Sequence, residues 1–182
     1  MQELTIGALR TPGVGGQDAA AVLADLVNEV YAVAEEGMWP HGFTRTTPGE
    51  VAELAGTERL FVAYLNNRIV GCVRVEQLDD QVGEFGMLAA DPAVRGIGIG
   101  SALVQHAENV AASLGNHTMQ LEVIQPRGFS LPSKEFLTGW YSRMGYEAVR
   151  TDVPEVAHPE LALLFAVPCD VVVYRKKLRS DQ

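Results

Sequence analysis

Residues 87–106 read MLAADPAVRGIGIGSALVQH, with alternate glycines at Gly96, Gly98 and Gly100 where an apolar segment gives way to a helical one. Glycine is disfavoured in strands and in helix interiors, but it permits positive φ and lets another group approach the backbone. A helix N-terminus offers unpaired N–H groups and partial positive charge, which favour an anion. With Arg95 as an adjacent cation, the stretch predicts a cradle for a phosphate or pyrophosphate.

Two common nucleotide-binding motifs fit this stretch poorly. A P-loop ends in Gly-Lys-Ser/Thr, whereas Gly100 is followed by Ser101 and Ala102. A Rossmann motif needs Gly-x-Gly-x-x-Gly, and its third glycine is replaced by Ser101 or Leu103 in the two registers. Glu122 keeps this alternative open, because it stands about twenty residues on, where the ribose-binding acid would lie.

Upstream of the glycines, the sequence predicts one strand, two helices and a three-stranded meander. Asp18 is expected to cap the first helix, and Thr47 with Pro48 is expected to begin a short second helix that ends near Leu54. The predicted strands are ELTIGAL (3–9), RLFVAYL (59–65), RIVGCVRVEQL (68–78) and QVGEFGMLAA (81–90).

Downstream of the glycines, strands and helices alternate. Helices are predicted from about Ile99 to Leu114 and at SKEFLTGWYSRM (133–144). The strands are TMQLEV (118–123), YEAVRTDV (146–153) and CDVVVYRKKL (169–178). This alternation predicts parallel pairing with right-handed crossovers over this part of the chain.

The composition is that of a folded, acidic chain. Of 182 residues, 47% are hydrophobic and 20% are charged, which is typical of globular rather than disordered proteins. The net charge of -9 argues against nucleic acid as a partner, because phosphate neutralisation needs a basic face. No apolar run approaches about 18 residues and no signal peptide is visible, so we expect a cytoplasmic chain without a membrane partner.

The cysteines and histidines predict neither a disulfide nor a metal centre. Cys72 and Cys169 lie in apolar, β-branched stretches and are expected to be buried thiols. Four histidines lack metal-ligand spacing, namely His41, His106, His117 and His158. We therefore expect no bound metal.

The stretch LAADPAVRGIGIGSAL (88–103) resembles the coenzyme A loop of the GNAT superfamily of N-acetyltransferases, in which Arg/Gln-x-x-Gly-x-Gly/Ala follows a strand and an Asp-Pro turn. FLTGWYSRMGYEAV (136–149) resembles the family's later FYEKLGF segment. The order of the predicted elements agrees as well. The resemblance implies an α/β (α+β) GNAT fold in one domain over residues 1–182, with a mixed central sheet of about seven strands, an antiparallel N-terminal meander and helices on both faces.

The implied activity is transfer of an acetyl group from acetyl-CoA to a primary amine of a small molecule or a protein. Two alternatives stay open: a non-catalytic acyl-CoA-binding sensor with the same fold and, more distantly, a Rossmann-type oxidoreductase. The expected partner is the amine substrate, and the formation of a homodimer stays open. The acceptor itself is not named by any motif.

The same resemblance assigns site residues by motif position. Tyr141 matches the family's general acid, whose phenol protonates the departing thiolate. Glu122 matches the glutamate that some members use as base. Glu84 on the preceding strand and a water molecule are the alternatives. Cofactor contacts are implied for Leu88, Ala89, Ala90, Arg95, Gly96, Ile97, Gly98, Ile99, Gly100 and Ser101. The acceptor pocket is implied for Trp39, His41, Phe43 and Arg45. Lys134 departs from the family, since many members carry asparagine there.

Overall fold

The computed structural model describes residues 3–10 and 18–178, whose strands form one mixed sheet in the order β1-β2-β3-β4-β5-β7-β6. The strands are β1 (Leu4–Gly7), β2 (Leu60–Leu65), β3 (Arg68–Gln77), β4 (Val82–Ala90), β5 (Thr118–Pro126), β6 (Glu147–Asp152) and β7 (Cys169–Lys177). The helices are α1 (Ala19–Ala34), α2 (Pro48–Ala55), α3 (Ile99–Ser113), α4 (Pro132–Arg143), α5 (Pro154–Ala157) and α6 (Pro159–Ala162).

The starts of the first two helices follow from their capping residues. The Asp18 side chain accepts hydrogen bonds from the N–H groups of Ala20 and Ala21. Thr47 and Glu50 form a reciprocal capping box at α2, with Pro48 in the first turn. Both predicted helix starts are confirmed.

The strand pairing corrects one expectation. Strands β1 to β4 form the antiparallel meander, and β4 pairs with β5 in parallel, as predicted. However, β7 lies between β5 and β6 and is antiparallel to both, so the expected β5–β6 pairing is wrong. Burial gives the reason: Val171 and Val173 of β7 are fully buried, whereas β6 is exposed except at half-buried Asp152 and therefore takes the sheet edge.

Helices cover both faces of the sheet, as predicted. On one face, α3 and α4 pack over Phe85 and Val123. On the other face, α1 and α2 pack over Val62 and Cys72. Cys72 and Cys169 are both buried free thiols, which confirms the expectation of no disulfide between them.

The segment between β6 and β7, for which the sequence predicts no element, contains the short helices α5 and α6. Each begins with a proline, Pro154 and Pro159, in its first turn. In the described part of the chain, no helix combines the length and the apolarity that a bilayer crossing requires. Residues 3–10 and 18–178 also contain no cluster of three or more His, Cys, Asp or Glu suited to a metal ion.

Candidate active site

Strands β4 and β5 part in the middle of the sheet. Their parallel pairing ends where Glu84 faces Gln120, although β4 continues to Ala90 and β5 to Pro126. Beyond this point β4 carries a bulge, and Met87 adopts a φ of 50°. Positive φ is strained for a residue with a side chain, and such strain is concentrated at active sites and in turns. We call the space beyond the Glu84–Gln120 pair the β4–β5 gap.

The glycine loop leads from β4 to the N-terminus of α3. Gly96 and Gly98 have φ values of 86° and 80°, and a Cβ at either position would meet no atom within 4 Å. Gly98 is the N-cap of α3 and provides no side-chain cap. The backbone N–H groups of residues 96–101 donate to no other described residue. The loop is therefore an open, donor-rich helix N-terminus that fits a pyrophosphate.

The other predicted cofactor residues divide by exposure. Arg95, Ile97 and Ser101 are exposed around the open loop. Ile99 is buried in the core, and a Cβ on Gly100 would come within 3.3 Å of the Trp140 ring, so that glycine makes room for an aromatic side chain. On β4, Leu88 and Ala90 are half-buried and Ala89 is buried.

Gly98→Val is expected to raise the Kd for CoA about 100-fold in isothermal titration calorimetry. The branched side chain enters the open mouth of the loop and resists the positive φ, each effect being of order one to three kcal/mol. Gly115→Val is the matched control, because Gly115 follows the same helix at φ 91° with open space around it. An equal loss of CoA affinity in both variants, or no loss in Gly98→Val, would show that Gly98 has a purely structural role.

Glu84 lies at the start of the gap, on the face covered by α1 and α2. Its Oε2 accepts a hydrogen bond from Gln120 Nε2 at 2.7 Å. Burial raises the pKa of this carboxyl; the Gln120 hydrogen bond opposes the shift, and nearby Glu122 adds to it. A half-buried carboxylate with a raised pKa is suited to accept a proton near neutral pH.

Glu122 lies two residues beyond Gln120 on the same face of β5. Its Oε2 is 2.5 Å from Nε2 of His158, which stands between α5 and α6. Nδ1 of His158 is in turn 3.5 Å from Glu160. The sequence analysis did not predict this contact of His158, because a contact across 36 residues leaves no local pattern. Glu122 is therefore already engaged, whereas the polar contact of Glu84 is to a neutral amide.

Tyr141 belongs to α4 and points into the aromatic core on the opposite face of the sheet. Its ring is 6.0 Å from Phe85, the residue that follows Glu84, and 5.0 Å from Trp140. The Tyr141 hydroxyl makes no hydrogen bond to the described residues. Burial raises the pKa of this phenol well above its usual range, and nearby Tyr31 raises it further. Tyr141 is therefore protonated at neutral pH.

The predicted acceptor residues between α1 and α2 separate into two groups. Trp39 stacks on Phe43 at 4.1 Å and on Phe165 at 4.3 Å, so the two predicted aromatic residues pack within the loop region. His41 is exposed. Arg45 instead lines a cavity of about 410 Å³ together with Met87 and with Arg74, a residue that sequence reasoning missed.

Lys134, which stands where many family members have asparagine, is buried in an ion pair. Its Nζ lies 3.0 Å from Oε1 of Glu35, and Trp39 Nε1 donates to Oε2 of the same carboxylate at 2.6 Å. Glu35 directly follows α1, and Lys134 lies in the first turn of α4. The lysine thus connects these two helices.

The parallel strands that part beside a donor-rich helix N-terminus agree with the cofactor site that the GNAT resemblance of the sequence implies. The family model described as "Acetyltransferase (GNAT) family" matches residues 24–132. Because this match covers more than half of the chain, the protein belongs to the GNAT acetyltransferase family.

Solved structures show the same fold at low sequence identity. An aminoglycoside 6'-N-acetyltransferase complexed with coenzyme A aligns with a TM-score of 0.68 and 18% identity, over 98% of this chain and 99% of that one. A GNAT family acetyltransferase from Elizabethkingia anophelis with acetyl-CoA bound gives 0.63 and 15%, over 96% and 98%. The ribosomal-protein-S18-alanine N-acetyltransferase from Escherichia coli gives 0.61 and 17%, over 99% and 97%. No curated protein sequence matches the chain.

The predicted fold, the acyltransferase class and acetyl-CoA as co-substrate are confirmed. The Rossmann alternative is wrong, because the glycine loop follows β4 of an antiparallel meander rather than the first strand of a parallel sheet. The family is one of acetyltransferases, which favours an enzyme over the non-catalytic sensor.

Proposed function

We propose that the protein transfers the acetyl group of acetyl-CoA directly to a primary amine in the β4–β5 gap, with Glu84 as general base. The observation that carries this proposal is the end of β4–β5 pairing at Glu84, next to the open glycine loop. Aminolysis of a thioester needs a neutral amine, stabilisation of the oxyanion and a proton for the leaving thiolate. The gap offers a group for each of these needs.

The glycine loop holds the pyrophosphate through the free N–H groups of residues 96–101, and Arg95 adds a positive charge at its edge. This places the pantetheine arm along the unpaired side of β4. There the backbone N–H groups of residues 88–90, with Leu88 foremost, are the proposed donors to the thioester carbonyl oxygen. At the bulge beside Met87, Met87 and Leu88 have no ladder partner on β3, whereas Ala89 and Ala90 remain paired with Cys72 and Gly71.

The proton path uses the two faces of the sheet. The amine nitrogen attacks the thioester carbon, and its proton passes to Glu84, directly or through water. The C–S bond then breaks, and the sulfur receives a proton from Tyr141. Glu84 is preferred to Glu122 as base because the Glu122 carboxylate already contacts His158. In addition, the raised pKa of Glu84 brings this carboxyl closer to the pH at which it would exchange protons.

The acceptor is a small-molecule or a protein amine. One structural neighbour is named for an aminoglycoside and another for an alanine of a ribosomal protein, so the fold is compatible with both classes. Cytoplasmic localisation is proposed from the two unbridged, buried cysteines.

Thiol release from acetyl-CoA in the presence of an amine panel tests the activity. Release that depends on both the amine and the enzyme supports the proposal. Tight CoA binding without release by any amine would instead support the sensor.

CoA is expected to raise the melting temperature of the protein by about 5–10 °C at a concentration 100 times its Kd. A ligand that binds only the folded state adds about 2.7 kcal/mol under these conditions, and each kcal/mol shifts Tm by about 2–4 °C in a chain of this size. Differential scanning fluorimetry measures the shift, with NAD⁺ as the control ligand. An unchanged Tm at millimolar CoA would contradict the cofactor assignment.

A further inference from the structure

Two half-buried arginines face the same cavity beside the β4–β5 gap. The side chains of Arg45 and Arg74 are 25% and 33% exposed. Together with Met87 they line the cavity of about 410 Å³, which we call the arginine cleft. Arg45 follows the loop after α1, whereas Arg74 projects from β3, so two separate elements bring these cations together.

Neither guanidinium donates a hydrogen bond to any residue in the described ranges, and Arg74 Nε is buried without a partner. The nearest carboxylate oxygens are 3.9 Å from Arg45, on Glu35, and 3.5 Å from Arg74, on Glu76. Glu35 is already bound by Lys134 at 3.0 Å. By contrast, solvent-accessible arginines such as Arg68 and Arg127 make charge-assisted hydrogen bonds. N–H donors of a half-buried guanidinium that have no acceptor cost free energy, and a bound anion removes this cost by accepting hydrogen bonds from them.

The acidic residues that line the cleft form no ion pair with Arg45 or Arg74. Glu50 also lines the cleft, but its Oε2 accepts hydrogen bonds from Thr47 N–H at 2.9 Å and Thr46 Oγ1 at 3.2 Å in the capping box of α2. Glu53 lies on the exposed side of α2. Neither carboxylate lies within 4.0 Å of Arg45 or Arg74. Arg45 also lies over the Tyr31 ring, with its Cζ 4.7 Å from the ring centroid. The cleft therefore keeps two guanidinium groups that donate no hydrogen bond to a carboxylate of the described residues.

The position of Arg74 relates the cleft to the proposed reaction. Arg74 faces Gly86 across the β3–β4 pair, and a Cβ on Gly86 would come 3.1 Å from Arg74 Nη2. The guanidinium therefore lies on β4 between Glu84 and Met87. Because a strand rises about 3.3 Å per residue, Glu84 is only about 7 Å along β4 from this point. A carboxylate bound to Arg74 and an amine whose proton Glu84 accepts can therefore belong to the same small molecule.

We propose that the acceptor is a free amino acid or a similar small amine whose carboxylate binds the forked donors of Arg45 and Arg74. This inference rests on the proposed function and narrows its substrate. Arg–carboxylate pairs are commonly bidentate, which orients as well as binds the ligand. The N-terminus of a protein has an amide where a free amino acid has its carboxylate, so the cleft selects small molecules over proteins.

The substrate test uses thiol release with the free L-amino acids, the carboxamide of each, and simple alkylamines. We expect a free amino acid to be acetylated, with its carboxamide at least about 100-fold poorer in kcat/KM, because the carboxamide leaves charged donors unpaired. Comparable turnover of carboxamides or alkylamines would overturn this inference while supporting the proposed function. Absence of release with every amine, despite CoA binding, would instead count against the proposed function itself.

The variant test compares Arg74→Gln and Arg45→Gln with Arg59→Gln. Arg59 is the matched control, because it also faces Glu76, at 3.7 Å, but is 58% exposed and does not line the cleft. At a pH where Glu84 is ionised in all variants, each cleft variant is expected to raise the KM for the amino acid about 10- to 100-fold. The KM for acetyl-CoA and the CoA-induced Tm shift should be unchanged, which shows that the fold persists. Arg74→Lys should recover part of the affinity. Unchanged amino-acid KM in both cleft variants, or an equal rise in Arg59→Gln, would overturn the inference.

Discussion

Glu84→Gln is expected to lower kcat about 10²- to 10⁴-fold while leaving CoA affinity unchanged. The substitution removes the proton acceptor, and a positioned general base contributes about this much to a rate. The glutamine carbonyl oxygen can still accept the hydrogen bond from Gln120, so the local structure is retained. Steady-state kinetics with a saturating amine measures kcat, and calorimetry measures CoA affinity.

The pH dependence separates Glu84 from Glu122. The base must be ionised, so kcat falls as pH drops through the pKa of Glu84, which lies above the ordinary value of 4.5. Glu122→Gln removes a negative neighbour that raises this pKa. The acid limb of kcat should therefore move to lower pH, while the plateau is retained. A plateau lost in Glu122→Gln but kept in Glu84→Gln would exchange the roles of the two carboxylates.

Tyr141→Phe is expected to lower kcat about 10²- to 10⁴-fold, because the change removes the donor that protonates the leaving thiolate. The ring remains in the aromatic core, and the lost hydroxyl has no hydrogen-bond partner among the described residues. The melting temperature should therefore stay constant. If the hydroxyl acts only in the transition state, the KM for acetyl-CoA barely changes.

Tyr146→Phe is the matched control within the same cluster. Its hydroxyl donates a hydrogen bond to buried Glu108 at 2.7 Å, so removal leaves a buried carboxylate with one partner fewer. This variant should lose stability but keep kcat, the reverse of Tyr141→Phe. A wild-type kcat in Tyr141→Phe across the pH range, with chemistry shown to limit the rate, would remove Tyr141 from the mechanism.

The sequence predicts features that local physics determines. The helix starts at Asp18 and Thr47 depend on side chains within three residues. Gly96 and Gly98 predict an open loop, because glycine adopts positive φ without the steric penalty of a side chain, and this preference belongs to the single residue. These signals define the element order and the cofactor loop before any contact is known.

Long-range packing determines the features that the sequence analysis missed. β7 displaces β6 from β5 because its side chains are buried against both neighbours, a property that emerges only in the assembled sheet. Alternation within β3 places Arg74 and Glu76 on one face, which was a usable signal for a polar strip. The single domain over residues 1–182 stays a prediction, since residues 1–2, 11–17 and 179–182 lie outside the described part.

Where β4 and β5 separate, the proposed cofactor groups and the proposed acceptor groups lie on opposite faces of the sheet. The groups proposed for the nucleotide lie on the α3 side, whereas Glu84 and the arginine cleft face α1 and α2. The two sets meet at β4, but the helices that cover them pack in separate core clusters on opposite faces of the sheet. Substitutions in the α1–α2 connection can therefore change the accepted amine without rebuilding nucleotide recognition, which makes this half of the sheet the place to exchange residues when redirecting the enzyme to new acceptors.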